Sequence, residues 1–151
     1  MGIEVYTDGG CSGNPGPGGW AYVILVDGAQ KKASGFQEDT TNNRMEITAV
    51  LMALGDIAGH DKWSGENVTV RTDSQYVKLG ITEWIKNWER NGWKTSAKKP
   101  VKNQDLWQSL KSLSDTLSVS WEWLKGHAGD PMNELCDSMV QKEMSEGIIR
   151  R

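Results

Sequence analysis

EVYTDGGCSGNPGPGGW, residues 4–20, sets an alternating run against a loop dense in glycine and proline. Ile3, Val5 and Thr7 alternate with Glu4, Tyr6 and Asp8, the period of a half-buried strand that ends in a carboxylate. A phosphate cradle at that point would need Gly-Lys-Ser/Thr before a helix, or G-x-G-x-x-G opening one. Neither is present. Residues 13–19 lead into a β-rich run, and their two prolines remove backbone donors that a cradle would use. The loop therefore reads as a stiff rim with Asp8 standing on it. A lone strand-end aspartate is often a turn starter, so its company decides what it is for.

Outward from this stretch, WAYVILV (20–26) and AQKKASGFQ (29–37) flank the turn-prone Asp27-Gly28, which predicts a hairpin and three antiparallel strands at the start. From 42 to 58 apolar residues recur at three and four, a helix with a broad buried face. VTVRTD (68–73) is a short strand ending in Asp73, and residues 74–92 read as helix with an interruption near Gly80. Leu106, Leu110, Leu113 and Leu117 mark another helix, and SVSWEWL (118–124) a fifth strand. Asp130 followed by Pro131 reads as an N-cap and first helical residue, opening a last helix to about Ser145. Hairpin strands first, then strands alternating with helices, predict a mixed α/β layer fold in a single domain, 1–151.

Composition narrows the function classes. No apolar run approaches the ~20 residues of a membrane helix, and the N-terminus lacks the basic and apolar regions of a signal peptide, so the expectation is a cytoplasmic protein. Cys11 and Cys136 lack C-x-x-C spacing or partner clusters, which disfavours zinc and predicts reduced thiols. The net charge is −3, yet residues 84–102 carry Lys86, Arg90, Lys94, Lys98, Lys99 and Lys102 against Glu89 alone. An acidic body with one basic, Trp-bearing segment suits a polyanion held at the edge of an acidic site.

The acids that keep Asp8 company are Glu46, inside an otherwise apolar helix pattern, Asp73 at another strand end, and Asp137 in the last helix. If the two strands run parallel, Asp8 and Asp73 meet at one sheet end, where open α/β sheets bind ligands. Like charges at about 4 Å repel by about 4 kcal/mol at an effective dielectric of 20, and a divalent cation resolves the conflict. An oxygen-only donor set favours Mg²⁺ or Mn²⁺, and four carboxylates suffice for a pair of ions that cleaves a phosphodiester.

YTDGGCSGNPGPGGW, TTNNRMEI, RTDSQYV, WKTSAKKPVKNQDLW and KGHAGDPMNELCD together resemble, in order, the signature segments of the bacterial-type ribonuclease HI family. The resemblance implies an RNase H-like fold with a five-stranded mixed sheet, three strands antiparallel and two parallel, flanked by helices and carrying a basic protrusion. It implies hydrolysis of the RNA strand of an RNA/DNA hybrid, with two Mg²⁺ ions (Mn²⁺ as substitute) and 5′-phosphate and 3′-hydroxyl products. By motif position, Asp8, Glu46, Asp73 and Asp137 become the metal-binding catalytic carboxylates, and His127 the loop histidine that helps protons move or product leave. Asn14, Asn42 and Gln75 match positions that contact the hybrid, Thr41 and Asn14 positions near a DNA-strand phosphate, and Thr41 also reads as a helix cap. Trp84, Trp88, Lys98 and Lys99 belong to the protrusion, with Trp88 expected to face the DNA strand; since Trp84, Trp88 and Trp93 repeat at four and five residues, at least one is expected to pack inward.

Two departures from the family pattern stand out: WERNGW (88–93) thins the cations at the start of the protrusion, and SMVQKEM (138–144) replaces an alanine-rich helix. No further hybrid-binding module is expected within the chain, and nothing reads as a dimer seam, so the expectation is a monomer. The rival readings are a DNA-cleaving member of the same fold and a hybrid-binding protein without catalysis.

Overall fold

The computed structural model describes residues 2–124 and 130–150. Five strands form one sheet in the order β3-β2-β1-β4-β5: β1 (Gly2–Cys11), β2 (Gly16–Val26), β3 (Ala29–Thr40), β4 (Asn67–Thr72) and β5 (Ser118–Trp123). β1 runs antiparallel to β2, with Asp8 opposite Ala21, and parallel to β4, with Val5 opposite Val70. β4 and β5 are also parallel. The expected three antiparallel and two parallel strands are therefore present, and β1 sits at the sheet's centre.

The opening rim is shorter than its glycine content implies. β1 continues through Gly9, Gly10 and Cys11 because these pair with Trp20, Gly19 and Gly18 of β2, leaving only residues 12–15 as loop. Pairing overrides the poor strand propensity of glycine.

The helices are α1 (Asn42–Ala58), α2 (Gln75–Leu79), α3 (Ile85–Arg90), α4 (Gln104–Thr116) and α5 (Pro131–Arg150). α1 opens where Thr41 caps it, the Thr41 hydroxyl accepting from the Arg44 N–H at 3.2 Å. It buries Met45, Ile47, Ala49, Val50, Ala53, Leu54 and Ile57 against one face of the sheet. α5 covers the other face, where Cys136, Val140 and Met144 meet Ala21 and Val23. Asp130 caps it, its Oδ1 accepting from the N–H groups of Met132 and Asn133 at 3.0 and 3.2 Å. The helix passes the expected end near Ser145, and Gly147 within it lies against the Phe36 ring, which fills the space a Cβ would need.

The interruption near Gly80 is a π-helical turn (Gly80–Trp84) between α2 and α3. A Cβ on Gly80 would enter the indole of Trp107, which is fully buried. Tyr76, Trp84, Trp88 and Trp93 gather around Trp107, with ring centroids 5.2–6.3 Å apart along the chain of contacts. Beyond this cluster residues 93–101 fold back on themselves: the Val101 N–H donates to the Trp93 carbonyl at 3.2 Å and the Thr95 N–H to the Lys99 carbonyl at 2.8 Å. Lys98, at φ 62°, sits in the turn, so both Lys98 and Lys99 are exposed. Among the described residues no helix is long and apolar enough to cross a membrane.

Candidate active site

Asp8 projects from the centre of the sheet, two residues past the last β1–β4 pair, Tyr6 opposite Arg71. Asp73 follows directly on β4 and so reaches the same sheet end. α1 brings Glu46 alongside because β1 has glycine next to Asp8: a Cβ on Gly9 would run into the backbone of Met45 and Glu46. α5 carries Asp137 beside the buried Cys136, whose sulfur is 3.5 Å from the Tyr6 carbonyl oxygen.

The electrostatics show these acids acting on one another. Burial, then the charges of Asp73 and Asp137, push Asp8 up to about 8. Glu46 is also raised, chiefly by burial and further by Asp73, against a lowering hydrogen bond from Ser74. The Cys136 thiol is pushed up to about 12, first by burial and then by Asp8 and Asp73. That removes it as a thiolate nucleophile near neutral pH. The raised proton affinity of Asp8 and Glu46 is what a divalent cation relieves, and an all-oxygen set fits Mg²⁺ or Mn²⁺. Among the described residues, no three His, Cys, Asp or Glu side chains form a ready-made ion cage.

Beside the acids, Asn14 and Asn42 are locked by their own carbonyl oxygens. Asn14 Oδ1 accepts from the Asn42 N–H at 3.1 Å, and Asn42 Oδ1 from the Cys11 N–H at 2.8 Å. With these oxygens engaged, the amides of Asn14 and Asn42 have NH₂ donors left to offer. A cleft of about 400 Å³ lies between Asn14, Thr41, Asn43, Lys102 and Asn103. A neighbouring cleft of about 350 Å³ brings in Tyr76, Trp88 and Lys99. Gln75 is exposed at the first turn of α2. Trp84 lines neither cleft; it is half-buried against Tyr76 and Trp88. Trp88 does both jobs, packing on Trp107 and lining a cleft. A further cleft, of about 520 Å³, lies at the opposite sheet end around Gly2, Glu4 and Asp27, away from every one of these acids.

His127 lies outside the described residues. Sequence reasoning missed Ser74, Arg44, Asn43 and Asn103, whereas Lys102 belongs to the basic segment already read from the sequence. Arg44 reaches from α1 to the start of α4, where its guanidinium donates to Asn103 Oδ1 at 3.1 Å and to both oxygens of Asp105. Asn103 in turn donates to the Tyr76 hydroxyl at 3.1 Å. An arginine three residues after a helix cap gives no local sign of a partner 59 positions away.

A family model for RNase H matches residues 1–145. The Ribonuclease H of Treponema pallidum subsp. pallidum is 51% identical over alignments covering 91% of this chain and 88% of that protein. The Ribonuclease H of Treponema denticola is 51% identical, covering 93% of this chain and 95% of that protein. LC9-RNase H1, a type 1 RNase H with the type 2 active-site motif, superposes with a TM-score of 0.82 at 29% identity, over 96% of this chain and 72% of its own. LC11-RNase H1, solved in complex with an RNA/DNA hybrid, gives a TM-score of 0.71 at 25% identity, over 97% of this chain and 99% of its own.

Proposed function

Since this chain belongs to the ribonuclease H family, we propose that it hydrolyses the RNA strand of RNA/DNA hybrids at a divalent-cation site made by Asp8, Glu46, Asp73 and Asp137. The chain is a nuclease of that family. The observation that carries the site assignment is the convergence of acids from β1, α1, β4 and α5 at one sheet end, with Asp8 pushed up to about 8 by burial and by its neighbours Asp73 and Asp137.

Two Mg²⁺ ions, with Mn²⁺ as substitute, would supply activation of the attacking water and charge stabilisation for the departing 3′ oxygen. Asp8 would serve both ions, a reading supported by its electrostatic coupling to Asp73 and to Asp137. Glu46 and Asp73 would hold one side of the site and Asp137 the other; with the 3′ oxygen as leaving group, the cut leaves 5′-phosphate and 3′-hydroxyl ends. The donor amides of Asn14 and Asn42, together with Gln75, read 2′-hydroxyl and base acceptors in the shallow minor groove. Thr41 and Asn14 receive a DNA-strand phosphate in the cleft they line. Trp88 and Lys99 extend that path along the second cleft, Lys98 adds charge from the exposed turn, and Trp84 supports Trp88 from behind. His127 assists proton movement or product release. The protein works as a cytoplasmic monomer on this reading.

The test is cleavage of an end-labelled RNA/DNA hybrid beside matched RNA and DNA duplexes, with Mg²⁺ and with chelator, for wild type and Asp73→Asn. Expected is metal-dependent cutting of the RNA strand of the hybrid alone, lost in the variant. Retained cleavage by folded Asp73→Asn would remove Asp73 from the site.

A further inference from the structure

We propose that Ser74 is a positioning residue that sets Glu46 against Asp73, through a hydroxyl whose single proton is committed to the Glu46 carboxylate. The inference rests on the reading of Glu46 and Asp73 as cation ligands. Ser74 follows Asp73 directly and is only 5% exposed. Its Oγ accepts the N–H of Val77 at 3.1 Å, capping α2, and lies 2.5 Å from Glu46 Oε2. A backbone N–H only donates and a carboxylate only accepts, so the directions of the two bonds are fixed: a lone pair goes to Val77 and the proton to Glu46.

The backbone around Asp73 is pinned from the other side. The Trp123 indole donates to the Asp73 carbonyl at 3.2 Å, and the Leu124 N–H to the Thr72 carbonyl at 2.8 Å. The Ser74 N–H closes on Thr72 Oγ1 at 3.0 Å. This segment is therefore rigid, and the hydroxyl extends its rigidity to a side chain on a different element, α1. With Oε2 held by Ser74, the Glu46 carboxylate would be presented to a cation in a fixed orientation. Without the hydroxyl the Glu46 side chain must find its rotamer each time an ion binds. Outer partners of this kind characteristically affect metal affinity and turnover by about 10–100-fold.

The experiment compares wild type, Ser74→Ala, Ser74→Gly, Ser74→Thr and Glu46→Gln. It uses calorimetric Mg²⁺ titration of the protein alone, kcat and KM on the hybrid, and melting by circular dichroism. Ser74→Gly keeps the α2 cap nearly intact while removing the hydroxyl, so it stands in if the alanine variant is too unstable. Expected for both is Mg²⁺ affinity and kcat each lowered about tenfold with KM nearly unchanged, and recovery of both in Ser74→Thr. A role confined to capping would lower the melting temperature and leave Mg²⁺ affinity and kcat alone. That result, alongside loss of both in Glu46→Gln, overturns the proposal for Ser74 only. Retention of both by Glu46→Gln overturns the ligand reading beneath it.

Discussion

Asp8 is held at the sheet's centre against its own charge. Its folded pKa of about 8 stands above the ordinary 3.8 because burial and two acidic neighbours disfavour the carboxylate. For an acid raised in this way the folding penalty is absent below the unfolded value, grows as pH rises above about 4, and is complete above about 8. Asp8→Asn is therefore expected to raise stability at pH 7 in chelator by on the order of 3 kcal/mol, while abolishing cleavage. Denaturant melts at pH 7 and pH 4 check this: the gain should vanish at the lower pH, and a variant no more stable than wild type at pH 7 would refute it. Added Mg²⁺ should narrow the difference by binding the wild-type native state. Asp8 was legible in the sequence because a strand alternation ends on it. Ser74 was not legible: its bond to Glu46, 28 positions away, exists only after folding.

The elements bring the acids together by close approach, and the closest point is where α1 crosses β1 at Gly9. A methyl group there would meet helix backbone, which cannot swing aside as a flexible side chain can. Gly9→Ala is expected to cost about 2–3 kcal/mol as an overpacked contact and to depress kcat, because displacing α1 moves Glu46. Gly28→Ala is the control: at φ 79° with open space around it, it strains only the β2–β3 turn and should cost about 1 kcal/mol without touching kcat. Equal effects on activity would contradict this view of Gly9. Arg44 ties α1 to α4 through an exposed pair with Asp105, so Arg44→Ala should lose only about 0.5–1 kcal/mol. Its clearer effect should be on KM, since Asn103 loses an anchor beside the cleft it lines. α1 was readable end to end, 42–58, from its cap and periodicity. The end of α5 was not, since the glycine at 147 answers to the Phe36 ring of a distant strand and not to its own helix.

Across the whole molecule, charge is divided between an acidic body and the basic turn that carries Lys98 and Lys99. Binding through that turn should weaken with salt. Replacing both lysines by alanine is expected to raise KM several-fold with kcat little changed, and to flatten the slope of log affinity against log salt by about 1.5; an unchanged slope would take the turn out of the interface. The basic segment was visible in composition alone, and the spacing of its tryptophans at four and five already predicted that at least one packs inward; that Trp107, from a later helix, is what Trp88 packs on was not legible. The order of the sheet has a last consequence, for how the chain acquires its activity. The acids come from β1, α1, the end of β4 and α5, at positions 8, 46, 73 and 137, and β1 needs the distant β4 beside it before Asp8 and Asp73 can meet. Nucleolytic competence must therefore appear late in refolding, after the long-range strand pairing that slows such topologies. Recovered cleavage after dilution from denaturant would thus time the completion of the native state rather than its first collapse.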